Sequence, residues 1–218
     1  MPNEHLREQN KQRVLESAME CFKEYGIEST TLEKIAVRSG LTTRSVQRYY
    51  LTKSNLAKKV MDRLMDNIYN EIHSIPARQD MKDLNGREQL IKILGIRAEI
   101  AATYYKSIFC LNEFELYFTK RIKTAEFYER YKSGSSFVVN LTLRALEKGI
   151  KDGSIRKDID KTAVLDMINL TFGGLLQKIA ESRINPSLDI IVRSESQLNS
   201  FIEVIRCYLS PKSDKAAV

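Results

Sequence analysis

The sequence predicts an all-α protein: a small N-terminal three-helix unit carrying a helix-turn-helix, followed by a larger helical bundle. Three observations predict it. Glycine and proline are scarce, nine and four in 218 residues, too few for the many tight turns of a sandwich or barrel. Apolar residues recur at three- and four-residue spacing along most of the chain. Helix caps and stops, among them Gly26, Gly40, Thr42, Thr52 and Asn185-Pro186, fall between those runs.

The elements follow in order. Glu8 to Tyr25 reads as the first helix, its stripe formed by Leu15, Ala18, Met19, Phe22 and Tyr25, and Gly26 ends it. Thr30 with Glu33 three residues on has the form of a capping box for the second helix. Leu32, Ile35 and Ala36 are that helix's inward residues, and Ser39-Gly40 ends it with the left-handed turn that glycine permits. Thr42 caps a short third helix, Thr43 to about Tyr50, with Val46 and Tyr50 on its inward edge. Thr52 caps a fourth, whose ladder is Leu56, Val60, Leu64, Ile68 and Ile72. Polar residues from Ser74 to Arg87 mark a break. Beyond it, helices are predicted at about 86–105, 107–122, 125–152, 161–182 and 194–209, with Gly134 a candidate bend and Gly149 and Gly153 in a turn. The predicted domains are 1–52 for the helix-turn-helix unit and 53–210 for the bundle, with a disordered tail at 211–218.

Composition excludes several classes. Apolar runs such as Leu90 to Ala102 are cut by Lys92, Arg97 and Glu99, so no membrane span is predicted. The polar start, Met1 to Gln12, predicts no secretory signal. Cys21, Cys110 and Cys207 lie far apart without CxxC spacing, which predicts reduced thiols in a cytoplasmic protein and no metal site. No GxSxG, HExxH or phosphate loop is present, so the chain reads as no enzyme and as needing no cofactor.

Charge points elsewhere. The net charge is +7. Residues 1–33 carry seven acids against four bases, while residues 34–63 carry eight bases against Asp62 alone. Such a block is a polyanion footprint or a solvated helix face. What lies inside it decides: two helices joined by a glycine turn. In a helix-turn-helix the second helix is short and puts polar residues at its N-terminal end into the major groove. Thr42, Thr43, Arg44, Gln47 and Arg48 are such a set. The threonines and helix-start N–H groups suit phosphate oxygens. Arg44 can donate as a fork to guanine, and Gln47 can pair with adenine.

The pattern Ala18…Phe22…Gly26…Thr30-Thr31…Ile35-Ala36…Ser39-Gly40-Leu41-Thr42…Val46…Tyr49-Tyr50…Thr52-Lys53…Leu56 resembles the DNA-binding domain of TetR-type transcriptional regulators, without gaps over about forty residues. The resemblance implies a homodimer that binds DNA through three N-terminal helices and a small-molecule effector through its bundle. It places Thr31, Thr42, Thr43, Arg44, Gln47, Arg48, Tyr49 and Lys53 at DNA-contacting positions. Tyr49 keeps a second reading as packing on the fourth helix, and Arg48 as a solvated charge. The sequence departs from the family's usual small residue at Arg44, tyrosine at Gln47 and phenylalanine at Tyr50. Ser54 and Asn55 replace its usual acidic residues.

In the bundle, aromatics concentrate between Tyr104 and Phe137. Tyr105, Phe109, Phe114, Tyr117, Phe118, Tyr128 and Tyr131 are candidate pocket residues; the plainer reading is helical core. Glu113 and Glu115 either complement a cationic ligand or face water. The Gly173-Gly174 pair suggests close helix approach. By resemblance, the helices at about 161–182 and 194–209 form the dimer interface. The function expected is a ligand-responsive repressor on a palindromic operator, its recognition helices about 34 Å apart. The alternative is a helical ligand- or protein-binding module with non-specific DNA affinity only.

Overall fold

The computed structural model describes residues 2–77, 79–121, 125–188 and 194–211; side chains are described for 4–75, 77, 80–120, 136–187 and 196–211. The predicted 211–218 tail and the candidates Tyr128 and Tyr131 fall largely outside these limits. All regular structure among the described residues is helical: α1 (Pro2–Ser29), α2 (Leu32–Ser39), α3 (Thr43–Tyr50), α4 (Lys53–Ser74), α5 (Gly86–Thr103), α6 (Tyr105–Arg121), α7 (Ala125–Asp152), α8 (Lys161–Ile184) and α9 (Ser194–Leu209), with short 3-10 turns between. No helix among the described residues is long and apolar enough to cross a membrane.

The chain forms two compact units. The first holds residues 1–67 and 106–125, and the second holds 68–105 and 126–218. In the first unit, α1 buries Val14, Ala18, Cys21 and Phe22, which recur at i, i+4, i+7 and i+8 on one face. Ala18 and Phe22 of the predicted stripe are buried, Val14 and Cys21 complete the buried face in place of Leu15 and Met19, and Tyr25 lies 43% exposed. α1 breaks at Gly26 (φ 74°, ψ 162°), and Ile27 beyond the break returns to the core.

The cap of α2 is corrected by one residue. Thr31, not Thr30, accepts from the Lys34 N–H at 3.3 Å. Thr30 is fully buried, and its hydroxyl donates to the Gly26 carbonyl at 2.7 Å and the Cys21 carbonyl at 3.2 Å. A buried hydroxyl needs such partners, and the broken end of α1 offers unpaired carbonyls.

α6 joins this unit through Phe114, whose ring meets Phe22 edge-on at 5.5 Å. Phe118 packs behind it, and Leu56, Val60 and Leu64 of α4 add the ladder read from sequence.

In the second unit, Asn85 caps α5 in a reciprocal box with Glu88. Gly86 meets the backbone of Gly149, which lies inside α7 rather than in the predicted turn. α7 runs through Gly134 without interruption. Asp160 caps α8, accepting from Thr162 and Ala163. Leu90, Ile93 and Leu94 of α5, Ile168 and Phe172 of α8, and Ile205 and Leu209 of α9 are part of the buried layer; the Phe172 and Phe201 rings meet at a tilt, 6.0 Å apart.

Candidate nucleic-acid interface

The helix-turn-helix is built by local chemistry. Gly40 takes the left-handed conformation (φ 64°, ψ 30°). Its N–H and that of Leu41 return to the Val37 and Ala36 carbonyls at 3.1 and 3.0 Å, the Schellman ending that turns the chain sharply. Thr42 then starts α3 by accepting from the Ser45 N–H at 3.1 Å. Only Val46 of α3 is fully buried, and it pins the helix to its neighbours. The Tyr50 hydroxyl donates to the Lys11 carbonyl at 3.0 Å, holding the far end of α3 against α1. Burial raises the Tyr50 phenol above its ordinary pKa, so this donor stays protonated.

With its inward side fixed, α3 turns a polar side to solvent. Arg44, Gln47 and Arg48 are exposed, Thr42 is exposed at the helix start, and Thr43 is half-buried. The arrangement is a short, well-capped helix whose outer face carries two forks and an amide. Tyr49 is half-buried; the Arg48 guanidinium lies 5.2 Å from its ring centre and donates to its hydroxyl at 3.3 Å. That hydrogen bond holds the Tyr49 phenol below its usual pKa. Thr31 is exposed, with its hydroxyl oxygen engaged as the cap of α2.

Lys53 is placed differently from a surface charge. Its ammonium donates to the carbonyls of Ile27, Glu28 and Thr30 at 2.8, 3.2 and 2.9 Å. An ammonium has three N–H donors, so all are engaged within the chain. Lys34 acts alike, donating to the Ser29 carbonyl at 2.9 Å while sitting 4.9 Å from the Tyr25 ring centre. Arg38 pairs with Glu24. The Glu24 carboxyl is held low, first by a hydrogen bond from Tyr25 and then by Arg38. Part of the basic block therefore closes the C-terminal end of α1, where carbonyls lack intrahelical partners. No spacing rule reveals this; Lys53 in the first turn of α4, against the helix dipole, is the only sequence signal.

α6 reaches the same end of α1. The Tyr117 hydroxyl lies 3.0 Å from the Ser54 hydroxyl, and its ring centre is 5.9 Å from the Lys53 ammonium. Glu113 lies against Gly26: a Cβ added there would stand 2.7 Å from Oε1. Its carboxylate accepts from the Ile27 N–H, and Oε2 is buried without a partner among the described residues. Glu113 thus belongs to the break in α1.

The aromatic candidates divide. Phe114, Tyr117 and Phe118 are buried in the first unit, in the core shared with Phe22. Phe109 is half-buried in that unit. Tyr105 belongs to the second unit, half-buried, with the Arg183 guanidinium 5.9 Å from its ring centre.

Known proteins match this arrangement. Residues 14–60 match the model of "Bacterial regulatory proteins, tetR family". The chain is 25% identical over 150 residues to the transcriptional repressor KstR2 of Rhodococcus jostii, covering 67% of this chain and 68% of that one. It is 25% identical over 80 residues to the regulator BetI of Escherichia coli, and spans only 41% of BetI's length. The fold of KstR2 from Mycobacterium tuberculosis superposes with a TM-score of 0.62 at 14% identity, over 92% of this chain and 94% of that one. FadR of Bacillus subtilis, solved with stearoyl-CoA, gives 0.63 at 17% identity, over 91% and 98%. Residues 14–60 thus form a helix-turn-helix domain of the kind found in bacterial regulatory proteins of the tetR family.

Proposed function

We propose that this regulator is an effector-released repressor that binds a palindromic operator as a homodimer in the cytoplasm. The observation that carries the reading is the outer face of α3, where Arg44, Gln47 and Arg48 stand exposed on a helix pinned by Val46. Arg44 and Gln47 read base edges, while Thr42, Thr43 and Tyr49 meet phosphates. Residues 1–52 carry the DNA contacts, and residues 53–210 take the effector and the second copy. Lys53 acts on the operator indirectly, by fixing the end of α1.

Apolar exposure supports the homodimer. On α8, Leu170 is 77% exposed, and Gly174, one turn on, has no described atom beyond its own helix backbone within 4 Å of where a Cβ would stand. On α9, Val204 is 61% exposed. A second copy across a two-fold axis covers these faces and sets two recognition helices about one DNA turn apart. An effector that prefers a bundle shape with the wrong spacing releases the operator, and needs only differential affinity for the two shapes.

The test is selection of genomic fragments on the purified protein near physiological salt, followed by footprinting. A short, two-fold symmetric protected site is expected, weakened by Arg44→Ala by about 1–3 kcal/mol per fork lost. Uniform binding that vanishes with salt, with no preferred site, sinks the reading.

A further inference from the structure

The second unit contains a buried cation with no counter-charge among the described residues. Arg97 of α5 lays its guanidinium on Phe172 of α8, 5.0 Å from the ring centre, and Phe172 is fully buried. Nη1 of Arg97 is sealed from solvent and meets no hydrogen-bond partner among the described residues. Oδ1 of Asn169 is sealed and unpartnered in the same way. Asn169 stands one turn before Phe172 on α8, so both lie on neighbouring parts of one helix face. Two orphaned polar atoms of this kind are rare, because each forfeits its hydration with nothing in return.

The surroundings define what is missing. Burial pulls the Arg97 pKa down, to about 10, and no acidic side chain among the described residues acts on it. Arg97 is therefore still a cation at neutral pH, on an aromatic ring, with an idle donor. A buried charge left unpaired is strongly unfavourable for the empty protein. Gly173, one turn after Asn169, has no described atom beyond its own helix backbone within 4 Å of where a Cβ would stand. The space over Gly173, next to Asn169 on the helix surface, is open.

We propose that Arg97 and Asn169 bind the acid group of the effector: a small molecule with a carboxylate or other oxyanion on an apolar body. The oxyanion accepts from Nη1 of Arg97, a charge-assisted bond in an apolar setting. Asn169 turns its amide by half a rotation, so that Nδ2 donates where Oδ1 now faces; the two ends have nearly the same shape. The apolar body extends past Gly173. Such a ligand completes the packing of α5 on α8, which gives it the differential affinity that release requires. This inference rests on the effector-responsive reading above.

The test uses the full chain and the variant Arg97→Met, which keeps an unbranched apolar stem and removes the charge. Thermal unfolding is measured alone and with octanoate, dodecanoate and phenylacetate, each beside its neutral amide. Arg97→Met is expected to be at least as stable as the wild type without ligand, because an unpaired buried charge has been removed. At least one acid is expected to raise the wild-type Tm by about 5–10 °C at roughly a hundredfold excess over its Kd, more than its amide does. That preference disappears in Arg97→Met. Marked destabilisation or misfolding of Arg97→Met overturns the proposal, since the arginine would then be holding the fold. So does a wild type that no acid stabilises beyond its amide. Operator binding by both proteins is measured in parallel. A wild type that binds no operator removes the regulator reading and leaves the comparison of acid and amide intact.

Discussion

The Lys53 ammonium donates to the Ile27 carbonyl at 2.8 Å, and so a residue at the start of α4 closes the end of α1. The lysine at this position has two possible roles with different signatures. A phosphate contact adds to the salt dependence of DNA binding, about 0.9 in the slope of log K against log salt. A cap adds to stability, because hydrogen bonds to a charged donor are worth about 1.5–3 kcal/mol. Lys53→Met is expected to lower stability by about 2 kcal/mol in urea unfolding and to leave the salt slope of operator binding unchanged. A slope reduced by nearly one per protomer, at unchanged stability, would return Lys53 to the DNA.

Leu51 joins α3 to α4 in an unfavourable conformation, φ 61° and ψ −58°. The Thr52 N–H closes on the Tyr50 carbonyl at 2.7 Å, which makes a γ-turn of the rare, strained hand. A side chain there costs on the order of 1–3 kcal/mol, and Leu51 recovers little of it by burial, being 72% exposed. Leu51→Gly relieves the strain at an entropic cost of about 0.5–1 kcal/mol, whereas Leu51→Ala relieves nothing. The glycine variant is therefore expected to melt above the alanine variant, the reverse of the order at an ordinary position. Equal melting temperatures would mean that the turn relaxes in solution.

Glu113 makes stability depend on pH. Desolvation raises its pKa above the ordinary carboxylate value; the Ile27 N–H pulls it back, and Glu28 pushes it further up. The folded chain thus holds this proton more tightly than the unfolded chain does. Raising the pH from below the ordinary carboxylate range therefore erodes stability until the folded group has itself ionised, and the loss then remains. Glu113→Gln keeps an acceptor for Ile27 and removes the ionisation. The variant is expected to match the wild type near pH 4 and to exceed it near pH 7, as read from the difference of their unfolding curves. A variant less stable at pH 7 shows that the charged carboxylate is favoured at the Gly26 break.

What the sequence carries is local, and the local signals read well. Thr42, Thr52 and Gly40 cap and stop helices where their chemistry demands, and the helical periods from α5 to α9 end within two residues of prediction. Thr30 and Thr31 show the limit. Both can cap α2, and the choice falls to Thr31 because Thr30 is taken into the core by the broken end of α1. The site was legible in the same measure. Capping and period place Arg44 and Gln47 on the outer face of α3, whereas Lys53 finds its carbonyls twenty-three to twenty-six residues away. The aromatic window looked like one feature because its residues are neighbours in sequence. Phe114 and Phe118 take part in the core with Phe22, a partner that no spacing announces. In sequence Arg97 is only a break in an apolar run, because the missing partner of its Nη1 is a property of packed helices and not of spacing.

The Gly86–Gly149 contact gives the sharpest prediction in the second unit. A Cβ on Gly86 would lie 1.9 Å from the Gly149 backbone nitrogen and 2.2 Å from its Cα. A Cβ on Gly149 would lie 2.4 Å from Cδ1 of Ile155 and 2.5 Å from its Cγ1. The two clashes differ in kind. Helix backbone cannot yield without parting α5 from α7, and that also pulls the Gly86 N–H from the Asp152 carboxylate, now at 2.7 Å. A side chain can yield, or be cut away. Gly86→Ala is therefore expected to lose more than about 3 kcal/mol, beyond the usual overpacking range. Gly149→Ala is expected to lose about 1–3 kcal/mol and to couple to Ile155. Ile155→Ala alone empties a buried site, at about 2–5 kcal/mol. In the Gly149→Ala background the same truncation makes room for the new methyl and costs less, while in Gly86→Ala it costs its full amount. Urea unfolding of the two double-mutant cycles checks this; equal coupling in both would mean that the helices, and not Ile155, absorb either methyl.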